Sequence, residues 1–154
     1  MANSSVKGSK IGSIRQSLLF ARPHTATIAR AWILNHVPTG SSVLVESNDP
    51  WLPPTFHLYV VNKEGMIEEA RSEGENLIPT GAIGYLKNDI QLPDYVVLSG
   101  NYYRYANERA KYPEIVSKYE EIIRNRELIY QIGPQANRGR QISIYRASTT
   151  SWKL

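Results

Sequence analysis

Two short stretches concentrate side chains able to do chemistry. Glu46, Ser47, Asn48 and Asp49 follow the apolar run Val43-Leu44-Val45, and Ser99-Gly100-Asn101-Tyr102-Tyr103-Arg104-Tyr105 follows Tyr95-Val96-Val97-Leu98. Glu46 and Asp49 have the residue types of a carboxylate pair for acid–base work or for holding a hard cation. The structural alternative is that Asp49-Pro50 opens a turn while Glu46 is a solvated strand end. In the second stretch, three tyrosines and an arginine offer amphipathic rings and a guanidinium fork. Such a group suits a carbohydrate, a phosphate or a partner protein, through stacking and charge-assisted hydrogen bonds. The candidate ligand-binding residues are therefore Glu46, Asn48, Asp49, Ser99, Asn101, Tyr102, Tyr103 and Arg104, and no residue is assigned a catalytic role.

Other chemistries lack their residues. The chain has no cysteine, which removes disulfides and thiolate metal sites. His24, His36 and His57 share no metal-ligand spacing and fall in different segments, so no metal site is expected. No phosphate-binding glycine loop, dinucleotide fingerprint or nucleophile elbow occurs, and no cofactor is expected.

The elements that must position the two stretches follow from periodicity. Thr25–His36 reads as a helix with Thr25 as N-cap, an apolar face of Ile28, Ala29, Trp32 and Ile33, and Pro38 with Gly40 as its stop. Strands are predicted at 42–47, 55–61, 94–99, 127–132 and 141–146. Pro113 opens a second helix carrying Ile115, Tyr119, Ile122 and Ile123. Ser99–Tyr105 reads as a polar aromatic loop, and Met66–Arg71 as about two helical turns before a glycine-punctuated loop or short strand. The expected fold is α/β: a layered sandwich whose mixed, mostly parallel sheet contains a Rossmann-like βαβ unit and is closed by a C-terminal antiparallel hairpin. Were 42–47 and 94–99 parallel neighbours, both polar stretches would open on the same sheet edge, where open α/β sheets take their ligands.

A length of 154 residues, with 42% hydrophobic and 21% charged residues, fits one globular core. We expect a lead-in at 1–22, an α/β domain at 23–147 and a tail at 148–154. The net charge of +4 is unevenly spread, because half of the 18 basic residues lie in 1–45 and 138–154, where none of the 14 acids falls. Basic ends on an acidic body argue against a nucleic-acid module, which would concentrate Lys and Arg on its folded surface. No apolar run approaches the ~20 residues of a membrane span, and the chain as given is expected to be soluble.

The order of segments resembles a known family. It is carried by T-x-x-I-A-R-A-W-I-L-N-H-V-P-T-G-S-S-V-L-V-E from Thr25 to Glu46 and by P-D-Y-V-V-L-S-G-x-Y-x-R-Y from Pro93 to Tyr105. Y-P-E-I-V-S-K-Y-E-E-I-I and a closing I-S-I-Y-R complete it. Together these resemble the soluble C-terminal domain of bacterial polytopic membrane glycosyltransferases of the dolichyl-phosphate-mannose protein mannosyltransferase-like family, which take sugars from polyprenyl-phosphate donors. The resemblance spans Thr25 to Arg146. Such families keep their catalytic acids in loops of the transmembrane part, so it carries over no catalytic residue. It implies a non-catalytic extracytoplasmic accessory domain whose partner is the transmembrane part of the parent glycosyltransferase at the cell membrane. A carbohydrate or sugar phosphate would be its ligand. Beside it stand a small-molecule-binding α/β domain and a protein-interaction module.

Overall fold

A computed structural model describes residues 24–46, 50–61, 67–84, 93–133 and 139–147. The described chain is α/β, with one seven-stranded mixed sheet and three helices. In chain order these are α1 (Thr25–His36), β1 (Ser42–Val45), β2 (His57–Val61), β3 (Ile67–Glu73), β4 (Asn76–Gly84), β5 (Tyr95–Leu98), α2 (Gly100–Asn107), α3 (Pro113–Ile123), β6 (Arg126–Ile132) and β7 (Ile142–Ala147). The strand order is β4-β3-β2-β1-β5-β7-β6.

β1 is the centre. It pairs in parallel with β2 on one side and with β5 on the other, in register Val43 with Tyr95 and Val45 with Val97. The outer pairings, β2–β3, β3–β4, β5–β7 and β6–β7, are all antiparallel. The expectation of a mostly parallel sheet is thereby corrected. It assumed that parallel strands are joined by helices and lie side by side. Instead the described part of the connection from β1 to β2, residues 50–56, holds no helix and buries Leu52 and Phe56, and β7 inserts between β5 and β6.

Alternation along β1 explains the layers. Val43 and Val45 pack with Ala26, Ala29 and Ile33 of α1, while Leu44 between them packs with Tyr119 and Ile122 of α3. Both faces of β1 and β5 are covered, which is why they read as continuous apolar runs. The helices show the matching stripes, Ala26-Ala29-Ile33 on α1 and Val116-Tyr119-Ile122 on α3.

Three local expectations change. The N-cap of α1 is His24, whose Nδ1 accepts from the Ala26 N–H at 3.2 Å, while Thr25 is buried and donates from Oγ1 to the Arg140 carbonyl at 2.6 Å. Residues 67–84 are two long antiparallel strands: the helical turns expected to 71 are strand instead, and of the loop or short strand expected after them a strand forms. Gly74, at φ +60, makes the first central position of their tight turn, the place where a two-residue hairpin asks for glycine. Finally, Gly100–Asn107 is a helix where a loop was expected.

Candidate functional site

The parallel pairing of β1 with β5 places their carboxyl ends side by side, so Glu46 emerges next to Ser99. Immediately after Ser99 the chain turns into α2. That helix has no acidic residue in its first turn, and the Ser99 side chain makes no capping bond. Its leading N–H groups need an acceptor, and the positive end of the helix favours an anion. Glu46 supplies both. Oε1 accepts from the Tyr102 N–H at 2.9 Å, and Oε2 accepts from the Ser99 N–H. Tyr119 of α3 is a further hydrogen-bond partner of the carboxyl. One buried side chain thus ties β1 to α2 and α3.

Burial dominates the electrostatics of this carboxyl. Loss of water raises its pKa to about 7, against the opposing pull of the hydrogen bonds from Tyr119, Ser99 and Tyr102. Glu46 is therefore not a solvated strand end; only 8% of its surface is exposed. Tyr119 is shifted upward too, first by burial and then by the neighbouring Glu46 carboxylate.

Around this junction the tyrosines divide their tasks. Tyr102 lies edge-on to Tyr103 with ring centroids 5.2 Å apart, and 5.4 Å from Tyr119. Its hydroxyl is held upward in pKa by burial and by the nearby Glu120 charge. The Tyr103 hydroxyl is hydrogen-bonded to Ser143 Oγ of β7, which also accepts from Gln131 Nε2 of β6 at 3.0 Å. Arg104 is exposed, its guanidinium 4.9 Å from the centre of the Tyr105 ring and its Nη2 donating to the Tyr105 hydroxyl at 3.1 Å. Asn101 sits half-buried in the first turn of α2.

Of the eight candidate residues, Glu46, Ser99 and Tyr102 meet in direct hydrogen bonds. Tyr103 is turned toward β7 and Arg104 toward solvent. Asn48 and Asp49 lie outside the described residues. Sequence reasoning missed Tyr119, Ser143, Gln131 and Arg140, whose Cγ and Cδ pack over Gly100. Tyr119 was visible as a polar-tipped member of the α3 stripe. The other three depend on β7 entering between β5 and β6, which no local pattern announces.

Chemically, the site can hold a proton near neutral pH on a carboxyl shielded from solvent, beside a helix that presents an exposed arginine over a half-buried tyrosine. Among the described residues no group of three or more His, Asp or Glu side chains could hold a metal ion, and no helix is long and apolar enough to cross a membrane. Comparison with protein-family models, with curated proteins and with solved structures gives no match.

Proposed function

We propose that this chain is a non-catalytic, extracytoplasmic accessory domain of a lipid-linked-sugar glycosyltransferase, with α2 contributing to binding of an acceptor or donor head group. In this reading β5, the two helices and β6 act as a Rossmann-like βαβ unit closed by the β6–β7 hairpin, within an α/β domain spanning 23–147. The transmembrane part of the parent enzyme is the partner.

The observation that carries the non-catalytic half is the commitment of Glu46. Glycosyl transfer from a lipid phosphate needs a base that can reach an acceptor hydroxyl. Glu46 is buried and already accepts from two backbone N–H groups, so it serves as the cap of α2. What supports head-group binding is the exposed Arg104 stacked on Tyr105, a pairing suited to a sugar phosphate through a charge-assisted bond and a ring face.

The test is incubation of the pure chain with polyprenyl-phosphate sugars, nucleotide sugars and generic esters, alongside chemical-shift mapping with mannose 1-phosphate. The expected result is no turnover, with shifts at Ser99 and across α2. Turnover that disappears in Glu46→Gln would make the chain an enzyme. Absence of shifts with any sugar phosphate would remove the binding role and leave the protein-interaction reading.

A further inference from the structure

The three helices are held to the sheet in different ways. α1 buries four residues, Thr25, Ala26, Ala29 and Ile33, and α3 buries three, Val116, Tyr119 and Ile122. α2 buries none of its eight, although Asn101, Tyr102, Tyr103, Tyr105 and Ala106 are half covered. What docks it is a short set of polar and ring contacts. The Glu46 carboxyl accepts from the Ser99 and Tyr102 N–H groups at its start, Tyr102 lies against the Tyr119 ring, and the Tyr103 hydroxyl is bonded to Ser143. Helices in proteins owe most of their stability to a buried apolar face, so α2 is the helix most easily detached. Gly100 at its front and the turn at residues 108–111 behind it give the helix a pivot at each end.

Detaching α2 changes the surroundings of one buried acid. Glu46 is bonded to Tyr119 of α3 and to Ser99 and Tyr102 at the β5–α2 junction. Farther out, Tyr105 and Arg104 of α2 act on Tyr119, while Glu120, Tyr103 and Arg109 act on Tyr102, and Tyr145 of β7 senses Tyr103 and Tyr102. The direct partners of the carboxyl are thus neutral donors. They steady the ion through hydrogen bonds but bring no charge to offset its burial. Swinging α2 outward removes the two N–H donors and admits water, which solvates the ion far better. We infer that α2 is a flap whose docking is governed by the protonation of Glu46: the neutral carboxyl keeps the helix closed, and ionisation favours its opening.

The direction follows from linkage. Docked, the carboxyl holds its proton up to about 7 because burial outweighs the hydrogen bonds, whereas in water it ionises near the ordinary 4.5. Between those values opening releases a proton, so rising pH favours the open form. Outside them the two forms carry the same charge and the dependence ends. Arg104 and Tyr105 ride on α2, so opening moves that pair as well. The flap needs no ligand and is independent of the accessory-domain reading.

The experiment is native-state hydrogen exchange of the pure chain in low urea from about pH 5 to about pH 8, with intrinsic exchange rates divided out. The amides of α2 should be at least about tenfold less protected than those of β1 and β5, through an opening that depends little on urea. Their protection should fall about tenfold per pH unit up to about pH 7 and then level off. The Glu46 carboxyl carbon resonance should titrate at the upper end of the same range. Glu46→Gln should keep a separate opening of α2 with no pH dependence. Tyr119→Phe, which retains the carboxyl and removes one bond that steadies its ion, should carry the decline to a higher pH. Amides of α2 that exchange in step with those of β1 and β5 would overturn the proposal. So would wild-type protection that is flat or rises with pH, an equal slope in Glu46→Gln, or an unmoved end point in Tyr119→Phe.

Discussion

Glu46, one residue past β1, and Tyr102, in the first turn of α2, lie 56 residues apart in sequence and are joined by a 2.9 Å hydrogen bond from the Tyr102 N–H to Oε1. The helix gets its capping acceptor from a distant strand and not from its own leading residues. Glu46→Ala strands the Ser99 and Tyr102 N–H groups in a buried site. It should cost about 2–3 kcal/mol in urea unfolding, the penalty for buried donors left unpaired. Hydrogen exchange provides the specific readout, with protection falling at Ser99 and Tyr102 while the α1 amides stay protected.

The same carboxyl sets a pH dependence. Its folded pKa, about 7, lies above the ordinary 4.5, so between those values the native state keeps a proton that the unfolded chain has released. The stability contributed by this group is complete below the lower value and falls as pH rises through the upper one. The change is at most about 3 kcal/mol at 1.36 kcal/mol per unit. Unfolding followed from pH 5 to pH 8 should show the decline, and Glu46→Gln should flatten it. Gln brings a constant offset of its own, because its amide NH2 must face either the Ser99 or the Tyr102 N–H. A wild-type profile parallel to that of Glu46→Gln would exclude Glu46 as the titrating group.

How far this junction was legible in the sequence depends on which contacts are local. The runs Val43–Val45 and Tyr95–Leu98 read as covered strands, and they are parallel neighbours, so the approach of Glu46 to Ser99 was foreseeable. The helical state of Gly100–Asn107 was not. Gly100, Asn101 and the tyrosines are weak helix formers, and the cap that favours the helix comes from Glu46. Residues 67–84 failed for another reason: β3 alternates in burial but carries charge on most of its positions, and the register shifts opposite Ile67/Glu68 and Glu69/Ala70 put extra residues into β4, which breaks the two-residue alternation there. Insertion of β7 beside β5 is a tertiary choice. Ser143 shows the consequence, since a serine in an ordinary alternating strand becomes fully buried beneath Tyr103.

Two glycines near Arg140 should respond differently to alanine. Gly139 has φ +101, and a Cβ there would meet the Thr25 hydroxyl and the His24 ring at the start of α1. Thr25 is fully buried and cannot move aside, so Gly139→Ala should cost about 1–3 kcal/mol from backbone strain, with the clash added to it. The atoms nearest to a Cβ on Gly100 would all belong to the Arg140 side chain, which is exposed and can swing away. Gly100→Ala alone should change stability by less than about 1 kcal/mol. In an Arg140→Ala background it should stabilise by about 0.4–1 kcal/mol, the entropic gain of a glycine replacement. Thermal melts of the four variants check the contrast.

The central strand gives a prediction for the core. Leu44 is 1% exposed and reaches Tyr119 and Ile122 on the face opposite α1. Leu44→Ala leaves a cavity beneath α3, and the transfer and cavity terms together should cost about 2–5 kcal/mol. Because α3 also carries Tyr119, the Glu46 carboxyl should become better hydrated in this variant. The pH-dependent loss of stability should then shrink, a second effect that a simple packing defect elsewhere would not produce.

The last prediction concerns the turn that delivers β6. After α3 ends at Ile123, Arg124 has φ −60 and ψ 135, and Asn125 has φ +61, the only non-glycine positive φ among the described residues. These angles match the two central positions of a type II turn, where the second must tolerate the left-handed region. Asparagine does so through its short polar side chain, glycine does so freely, and a β-branched residue does not. Asn125→Gly should therefore stay within about 1 kcal/mol of the wild type. Asn125→Val should lose about 1–2 kcal/mol, the cost of forcing an L side chain into that region. The turn also sets where β6 begins, and so whether Gln131 reaches Ser143 beneath Tyr103. Weakened exchange protection at Gln131 and Ser143 in Asn125→Val, but not in Asn125→Gly, would tie the backbone angle at Asn125 to the polar contacts under α2. Equal losses in the two variants would mean that the asparagine side chain, and not its backbone conformation, is what the turn requires.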